Sequence, residues 1–255
     1  PLGQATHDAI ATYAPHGLVE HIDASWQGSL AKPSVYQVRG RVSGLQVASQ
    51  LPAAVPSMPA STRAGPPAPP PIGVPGVRGA VVEFDASQTG GTATVSIAQG
   101  ALDLPGLFEE PVVPIDRLSG QAQWQIDGAD LKVQIKDLRF ANADAQGEAK
   151  IGWRTGDSAA TPHQDRYPGV LDLEGRLTHA NGMQAFRYLP QHIPKLTRDY
   201  VRDAVKRGTA STVDFRVRGD LRHMPFTDPR QGDFRIASRV SDVTFDYVPQ
   251  PTGAA

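Results

Sequence analysis

The chain has 255 residues, 40% of them hydrophobic and 20% charged, and its formal net charge at pH 7 is -1. This balance excludes the basic footprint of a nucleic-acid-binding protein, and the lack of cysteine excludes thiolate nucleophiles, cysteine metal sites and disulfides. The length suits one large all-β domain or two smaller ones, and no run approaches the roughly 18 apolar residues that a membrane-spanning helix needs.

Residues 1–48 contain two segments in which apolar and polar residues alternate. In the first, GLVEHIDASWQG, the alternation of Leu18, Ile22 and Trp26 is interrupted only by Glu20. The second, SVYQVRGRVSGLQV, sets Tyr and Val against Gln and Arg. A period of two is typical of a half-buried strand, so this region predicts the first strands of a sheet.

Residues 49–76 have a different composition, with nine prolines among Ala, Ser and Gly. Proline cannot donate a hydrogen bond to a sheet ladder, and this density of proline favours a polyproline-like or disordered conformation. The segment therefore predicts a flexible insertion. A ligand for a proline-binding module is the alternative interpretation.

Residues 77–180 predict an antiparallel β meander, and residues 209–249 predict further strands of the same kind, for a total of about ten strands. Residues 250–255 are predicted to form a tail. The clearest hairpin signal is the dipeptide Asp127-Gly128, which is typical of a two-residue turn. The apolar residues that alternate beside this turn are Ala122, Trp124 and Ile126 before it, and Leu131, Val133 and Ile135 after it.

One helical insertion interrupts the strands at residues 181–208, with its helices near 182–207. Asn181 is expected to cap a short first helix, and Pro194 to begin a second helix. Gly208 is the expected end of the second helix.

The second helix is predicted to be amphipathic. The pairs Lys195–Asp199 and Asp203–Arg207 are four residues apart, so ion pairs are expected to support the helix. The balance of charges argues against a basic membrane-binding helix. We interpret the helix as a lid that closes one end of the sheet, with a gate or a partner contact as alternatives. Its apolar stripe consists of Leu196, Tyr200, Val201, Ala204 and Val205.

No catalytic or metal-binding motif is found in the sequence. The seven histidines are scattered without metal-ligand spacing. The segment Gly40–Gly44, GRVSG, has the wrong spacing for a nucleophile elbow and lies in a predicted strand. The chain is therefore predicted to be no enzyme and to need no cofactor or metal. A carbohydrate-binding or hydrolytic β-domain is a weak alternative, because paired carboxylates beside aromatic residues are missing.

The segments from Gly169 onward resemble the YhdP family of AsmA-like envelope proteins. The resemblance rests on GVLDLEGRLTHA, RYLP, the proline-broken helix, VDFRVRGDLRHMPF and GDFRIASRVSDVTFDYVP. Earlier segments, among them YQVRGRVSGLQV and DLRFANADAQGEAKIGWRTG, fit the same pattern. The proline-rich insertion is not covered by the resemblance.

The resemblance implies a mainly β fold, a long curved antiparallel sheet called a β-taco or repeating β-groove, with an apolar concave lining. It also implies a periplasmic segment of a longer protein that an anchor outside this chain holds in the inner membrane. Such bridge-like proteins are implicated in moving phospholipid between the inner and outer membranes. The expected partners are phospholipid acyl chains and neighbouring segments of the same protein, with no nucleic acid.

A sheet with one apolar face must cover that face, because burying apolar surface is worth about 25 cal/mol per Å². A second sheet, the helix or acyl chains would each provide cover, so an open groove and a closed sandwich remain alternatives, as does a scaffold that offers sheet edges to outer-membrane protein precursors. The candidate groove-lining residues are Trp124, Ile126, Val133, Ile135, Ile151, Trp153, Leu171, Leu173, Phe215, Val217, Phe234 and Ile236.

Overall fold

The computed structural model of the chain describes residues 11–29, 32–51, 71–156 and 166–249. Strands make up most of this part of the chain, and short helical segments separate some of them. The strands are β1 (His16–Ser29), β2 (Lys32–Val47), β3 (Gly76–Ser87), β4 (Gly90–Asp103), β5 (Val112–Asp127), β6 (Asp130–Ala141), β7 (Ala145–Arg154), β8 (Val170–Asn181), β9 (Val205–Asp220) and β10 (Gly232–Phe245).

All ten strands form one antiparallel sheet, and their order in space is their order in the sequence. The predicted hairpin is confirmed: Asp127 pairs with Asp130, and Gly128 turns the chain with a φ of 57°, a conformation that favours glycine. The predicted mainly β fold with a single curved antiparallel sheet is also confirmed. The alternative of a closed sandwich is wrong, because the described strands form a single layer.

Residues that pair directly across neighbouring strands point to the same face of a sheet. Following these pairs across the whole sheet gives a row without a polar side chain: Ile22, Gly40, Phe84, Ala93, Ala122, Ile135, Ile151, Leu173, Val217 and Phe234. The adjacent row, on the other face, is Asp23, Arg39, Asp85, Thr92, Gln123, Gln134, Gly152, Asp172, Arg218 and Asp233. The sheet therefore has an apolar face and a polar face over its full width.

The antiparallel strands give the sheet two ends. At the first end the odd-numbered strands begin, and at the second end they finish. The first end carries the β4–β5 loop (104–111), the β6–β7 turn (142–144) and the helical insertion (182–204). The second end carries residues 166–169, which lead into β8, and the β9–β10 loop (221–231).

The sheet curls strongly enough for its two ends to meet. The longest strands have 16 residues and would span about 50 Å if they were straight. Yet Tyr167, at the second end beside β8, donates its hydroxyl to the backbone oxygen of Gly73, at the first end beside β3. Because both residues lie only three positions from a strand, the strands themselves must bend to bring them together.

Little of the sheet is buried in a conventional core. Among the described residues seven apolar residues are buried, and no large side chain is fully buried. Ala80, Ile97 and Ile115, on β3, β4 and β5, form the one cluster of buried residues in the described chain. The described residues therefore place no second layer of protein over much of the apolar face.

The insertion between β8 and β9 contains a 3-10 helix (Gly182–Tyr188) and the α-helix α1 (Lys195–Ala204). The predicted cap of the first helix is confirmed, because the Asn181 side chain accepts a hydrogen bond from the Met183 backbone N–H at 3.1 Å. A further 3-10 helix, Leu221–His223, follows β9.

The predicted end of the second helix at Gly208 is wrong. The helix ends at Ala204, and β9 begins at Val205, which pairs with Phe245 of β10. Sheet pairing with the last strand therefore outweighs the helical propensity of this segment. Gly208 instead lies within β9 with a φ of 154°.

The helix ion pairs agree with the sequence in part. Lys195 and Asp199 pair at 2.6 Å, as expected for this spacing. The predicted pair Asp203–Arg207 is wrong, because Arg207 lies on β9, and Asp203 pairs instead with its neighbour Arg202 at 3.1 Å.

The flexible insertion predicted at 49–76 lies mostly outside the described residues, which exclude 52–70. Its two ends are described and are held together. Gln50 and Val74 exchange backbone hydrogen bonds, each with an N···O distance of 2.9 Å. The predicted tail, 250–255, also lies outside the described residues.

Candidate functional site

All twelve candidate lining residues lie on the apolar face, because their strand pairings place them in shared rows. Ile126 pairs with Leu131 beside the β5–β6 turn, and the other eleven fall into three rows. The rows contain Ile135, Ile151, Leu173, Val217 and Phe234; Trp124, Val133, Trp153 and Leu171; and Phe215 with Ile236.

The apolar face is open over much of its area. Val217 is buried, with 8% of its surface exposed, but the edges of the sheet are far more accessible. Ile22 on β1 is 59% exposed, and Ile236 and Val240 on β10 are 49% and 62% exposed. A large contiguous apolar patch on a protein surface usually marks an interaction site.

Large side chains of this face lie over glycines on the neighbouring strand. A Cβ atom placed on Gly175 would be 2.2 Å from Cζ of Phe215, and one on Gly91 would be 2.6 Å from Cζ2 of Trp124. Each ring thus occupies the space that a side chain would need at the glycine. The rings lie along the sheet, so the apolar face has a comparatively even surface.

A first bridge joins the two ends of the sheet across the apolar face. It consists of Tyr167, whose hydroxyl is bonded to Gly73, and Pro168, whose oxygen accepts a hydrogen bond from Nε1 of Trp153 at 2.7 Å. The rings of Tyr167 and Trp153 lie 6.5 Å apart. Since Trp153 belongs to the apolar face, that face is the inner, concave side of the curled sheet.

Burial raises the pKa of the Tyr167 phenol from 10.0 to about 12. Desolvation disfavours the phenolate, because an anion loses more hydration energy than the neutral phenol when water is removed. The phenol therefore stays protonated and keeps its hydrogen atom for the Gly73 oxygen at any physiological pH.

A second bridge crosses the same face near β9 and β10. His192 and Ile193, in the insertion at the first end, face Phe226 in the β9–β10 loop at the second end. They line a cavity of about 300 Å³, which Phe234 of the apolar face also lines. Described residues therefore cover the apolar face at two places, the first and the second bridge.

A polar cluster, here called the latch, ties the insertion to the first end of the sheet. Arg187 donates to Asp144 and to Glu110, each at 2.8 Å, and the Tyr188 hydroxyl donates to Asp144 at 2.7 Å. Asn142 donates to the Tyr188 oxygen at 3.0 Å. Burial, followed by the hydrogen bond to Asp144, raises the pKa of Tyr188 to about 12.

Contacts with the β4–β5 loop complete the attachment of the insertion. The backbone N–H of Gln191 donates to Leu107 at 2.8 Å, and the Gln191 side chain donates to the Phe108 oxygen at 2.6 Å. Phe108 packs edge to face on Tyr188, with ring centroids 6.1 Å apart. The insertion thus reaches from β8 to the β4–β5 loop along the first end.

The proposed lid residues do not act as one stripe. Ala204 is fully buried, and the Tyr200 ring meets the ring of Phe245 at 6.0 Å. Leu196, however, is 84% exposed, and Val205 belongs to β9. The fifth residue, Val201, is partly buried. The residues that cross the apolar face come instead from the segment between the two helices, His192 and Ile193.

A second cavity, of about 620 Å³, lies over the polar face of β1 to β6. Its side chains include Thr92, Gln121, Gln123 and Gln134. A twisted sheet is saddle-shaped, so a shallow hollow on the outer face is expected. Hydrogen-bonding side chains of this kind are suited to water and do not solvate hydrocarbon.

The sequence did not single out Tyr167, Arg187 or Phe226, which form the bridges and the latch. Within the described ranges, no cluster of three or more His, Asp or Glu residues could hold a metal ion. No helix in that part of the chain is both long and apolar enough to cross a membrane.

The family model that describes the YhdP protein matches residues 1–250. No curated protein and no solved structure shows significant similarity to the chain. The match covers nearly the whole sequence, including every strand of the sheet and the insertion. The chain therefore belongs to the YhdP family.

Proposed function

We propose that this chain is a non-enzymatic periplasmic segment that carries phospholipid between the inner and outer membranes along its apolar groove. The observation that carries the proposal is the unbroken apolar row on the concave face, which crosses all ten strands without a polar side chain. Membership of an AsmA-like family supports the same role.

Acyl chains would lie on the apolar rows, while headgroups would stay at the mouth of the groove in water. Covering the face with hydrocarbon is favourable by about 25 cal/mol per Å² of apolar surface removed from water. The rows run from strand to strand, so a lipid that moves along them leaves one apolar environment and enters a similar one. No step in this movement requires a charged side chain to be desolvated.

The edges of the sheet are suited to extending the groove. In the part of the chain that the structure describes, β1 pairs only with β2 and β10 only with β9. We propose that neighbouring segments of the same protein add strands at these edges and continue the rows. The inner membrane would be reached through an anchor outside this chain.

The three tryptophans test the proposal. Trp26, Trp124 and Trp153 all lie on the apolar face, on β1, β5 and β7. Vesicles of phospholipid with brominated acyl chains are expected to quench their fluorescence, because bromine quenches tryptophan on contact. Variants that keep one tryptophan each, with Phe at the other two positions, show which strands the chains reach. Quenching no greater than with unbrominated lipid would refute the groove.

A matched pair of substitutions tests whether lipid binding depends on the apolar face in particular. Ile151→Asp places a carboxylate in the apolar row of β7 and is expected to abolish quenching of Trp124 and Trp153. Lys150→Asp places the same group one residue away, on the exposed face, and is expected to leave quenching unchanged. Equal effects of the two variants would contradict the assignment of the inner face.

A further inference from the structure

The cavity under the second bridge is lined mainly by apolar residues. Its lining comes from three separate parts of the chain, which the curl of the sheet brings together. From the insertion come His192 and Ile193; from the β9–β10 loop come Met224, Pro225, Phe226 and Pro229; and from β10 come Gly232, Asp233 and Phe234.

The polar residues of the lining leave no unpaired charge in the cavity. Asp233 lies on the polar face of β10 and is 3.4 Å from Nε of Arg216. Burial lowers the pKa of His192, so its imidazole is neutral at physiological pH. Its Nδ1 atom is buried and has no hydrogen-bond partner among the described residues. A charged or strongly hydrated ligand would therefore find no counter-ion here.

The cavity continues the apolar rows of the groove. Phe234 is the β10 member of the row that crosses the whole sheet. Phe226 covers the β9 and β10 members of a second row: its ring would lie 2.8 Å from a Cβ on Gly219 and 2.4 Å from one on Gly232. A hydrocarbon chain that lies along either row reaches the cavity without leaving an apolar surface.

We infer that the cavity between Ile193, Phe226 and Phe234 is a binding site for one hydrocarbon chain of a phospholipid, lined by the insertion and the β9–β10 loop. The inference rests on the proposed function and adds a fixed binding position to it. A chain in the cavity is contacted by the insertion and the β9–β10 loop on one side and by Phe234 on the other, which favours that position over uncovered parts of the apolar face.

Photocrosslinking from two positions tests the inference. p-Benzoylphenylalanine is placed at Phe226 for the cavity and, separately, at Trp124 for the open groove. Each protein is mixed with vesicles of phosphatidylethanolamine and phosphatidylglycerol, irradiated and analysed for phospholipid adducts by mass spectrometry. Adducts are expected at both positions.

Two tryptophan substitutions in the insertion provide the matched comparison. Ile193→Trp fills the cavity and is expected to reduce the adduct at position 226 at least fivefold. Leu196→Trp adds the same side chain at a residue that is 84% exposed and is expected to change nothing. The adduct at position 124 is expected to persist in both variants, which also shows that they remain folded.

The outcomes separate the two proposals. An adduct at position 124 without one at 226 would overturn the cavity and leave the groove intact, and so would crosslinks from 226 to protein alone. An adduct at 226 that Ile193→Trp leaves unchanged would also overturn the cavity, since the chain would then reach Phe226 from outside. No lipid adduct at either position would overturn the proposed function itself.

Discussion

Glycine residues on the apolar face decide how its large side chains lie. Phe215 extends over Gly175 and Trp124 over Gly91, each within van der Waals range of the glycine backbone. A side chain at either glycine would push the ring outward into the groove. The smooth lining therefore depends on residues that contribute no apolar side chain of their own.

Alanine at Gly175 is expected to destabilise the sheet by about 1–3 kcal/mol, the usual cost of overpacking. Its Cβ would meet the Phe215 ring at 2.2 Å and the Glu148 backbone oxygen at 2.8 Å. Gly152→Ala is the control, because the nearest atoms to its Cβ are 3.8 Å away. Urea unfolding of both variants measures the difference. Equal stability of the two variants would show that the rings adjust freely.

The two half-buried tyrosines, Tyr167 and Tyr188, predict a loss of stability at high pH. The pKa values of Tyr167 and Tyr188 are raised from 10.0 to about 12. A raised pKa stabilises the fold fully below the unfolded value, near 10, and this contribution is lost as the pH rises through 12. Unfolding followed from pH 8 to pH 12 is expected to show this decline. Replacing both residues by Phe should flatten it, while lowering stability at pH 7 by about 1 kcal/mol for each lost hydrogen bond.

The residues of the apolar face were predictable at this scale, but the residues that cross that face were not. Alternation along each strand assigns Ile135 or Leu173 to a face without knowledge of the fold. Phe226 and Tyr167 lie in irregular segments that have no period. They reach the apolar face only because the curl of the sheet brings distant strand ends together, and no local pattern in the sequence encodes that approach.

At the scale of elements, β1 contributes side chains to the apolar face on both sides of an interruption in its apolar–polar alternation. Glu20 interrupts the alternation, and the structure has a register irregularity between Val19 and His21. Val19 consequently pairs with Val42, and Glu20 forms an ion pair with Arg41 at 2.8 Å. A bulge of this kind shifts the apolar–polar alternation by one residue. In the sequence alone, the bulge is visible only as an interruption of the alternation.

The latch is expected to control how readily the insertion opens. Arg187→Ala removes both ion pairs and leaves the carboxylate of Asp144, whose side chain is only 12% exposed, without its cation. Amide hydrogen exchange in residues 182–193 is expected to become about tenfold faster, which corresponds to about 1.4 kcal/mol, a typical value for a charged hydrogen bond. Exchange in the central strands should stay unchanged.

A surface arginine provides the control for this experiment. Arg230 pairs with Asp228 at 2.8 Å, but its side chain is 90% exposed, so Arg230→Ala is expected to have no measurable effect. Unchanged exchange in the Arg187 variant would mean that Gln191 and the β4–β5 loop hold the insertion without the latch. The latch joins residues 43 and 77 positions apart, a separation that sequence patterns do not resolve.

At the scale of the whole molecule, the curl and the alternation act together. Alternation gives every strand an apolar side, and the curl turns those sides inward. The result is a groove whose wall is one layer thick and whose contents are not supplied by the described chain. A sandwich would have satisfied the same alternation, so the sequence left the two open, and the single-layer topology decides between them.

The open edges predict self-association of the isolated chain. β1 and β10 each lack a second neighbour among the described residues, and their apolar side chains, such as Ile22 and Val240, are 59% and 62% exposed. Exposed apolar edges favour edge-to-edge pairing, and an inward-pointing charge prevents it. Light scattering is expected to show oligomers that grow with protein concentration, and Val240→Lys is expected to suppress them without loss of folding. Val240→Ala, which removes methyl groups but adds no charge, should still associate. A wild-type chain that stays monomeric at every concentration would contradict the prediction, because its edge strands would then not pair with other copies of the chain.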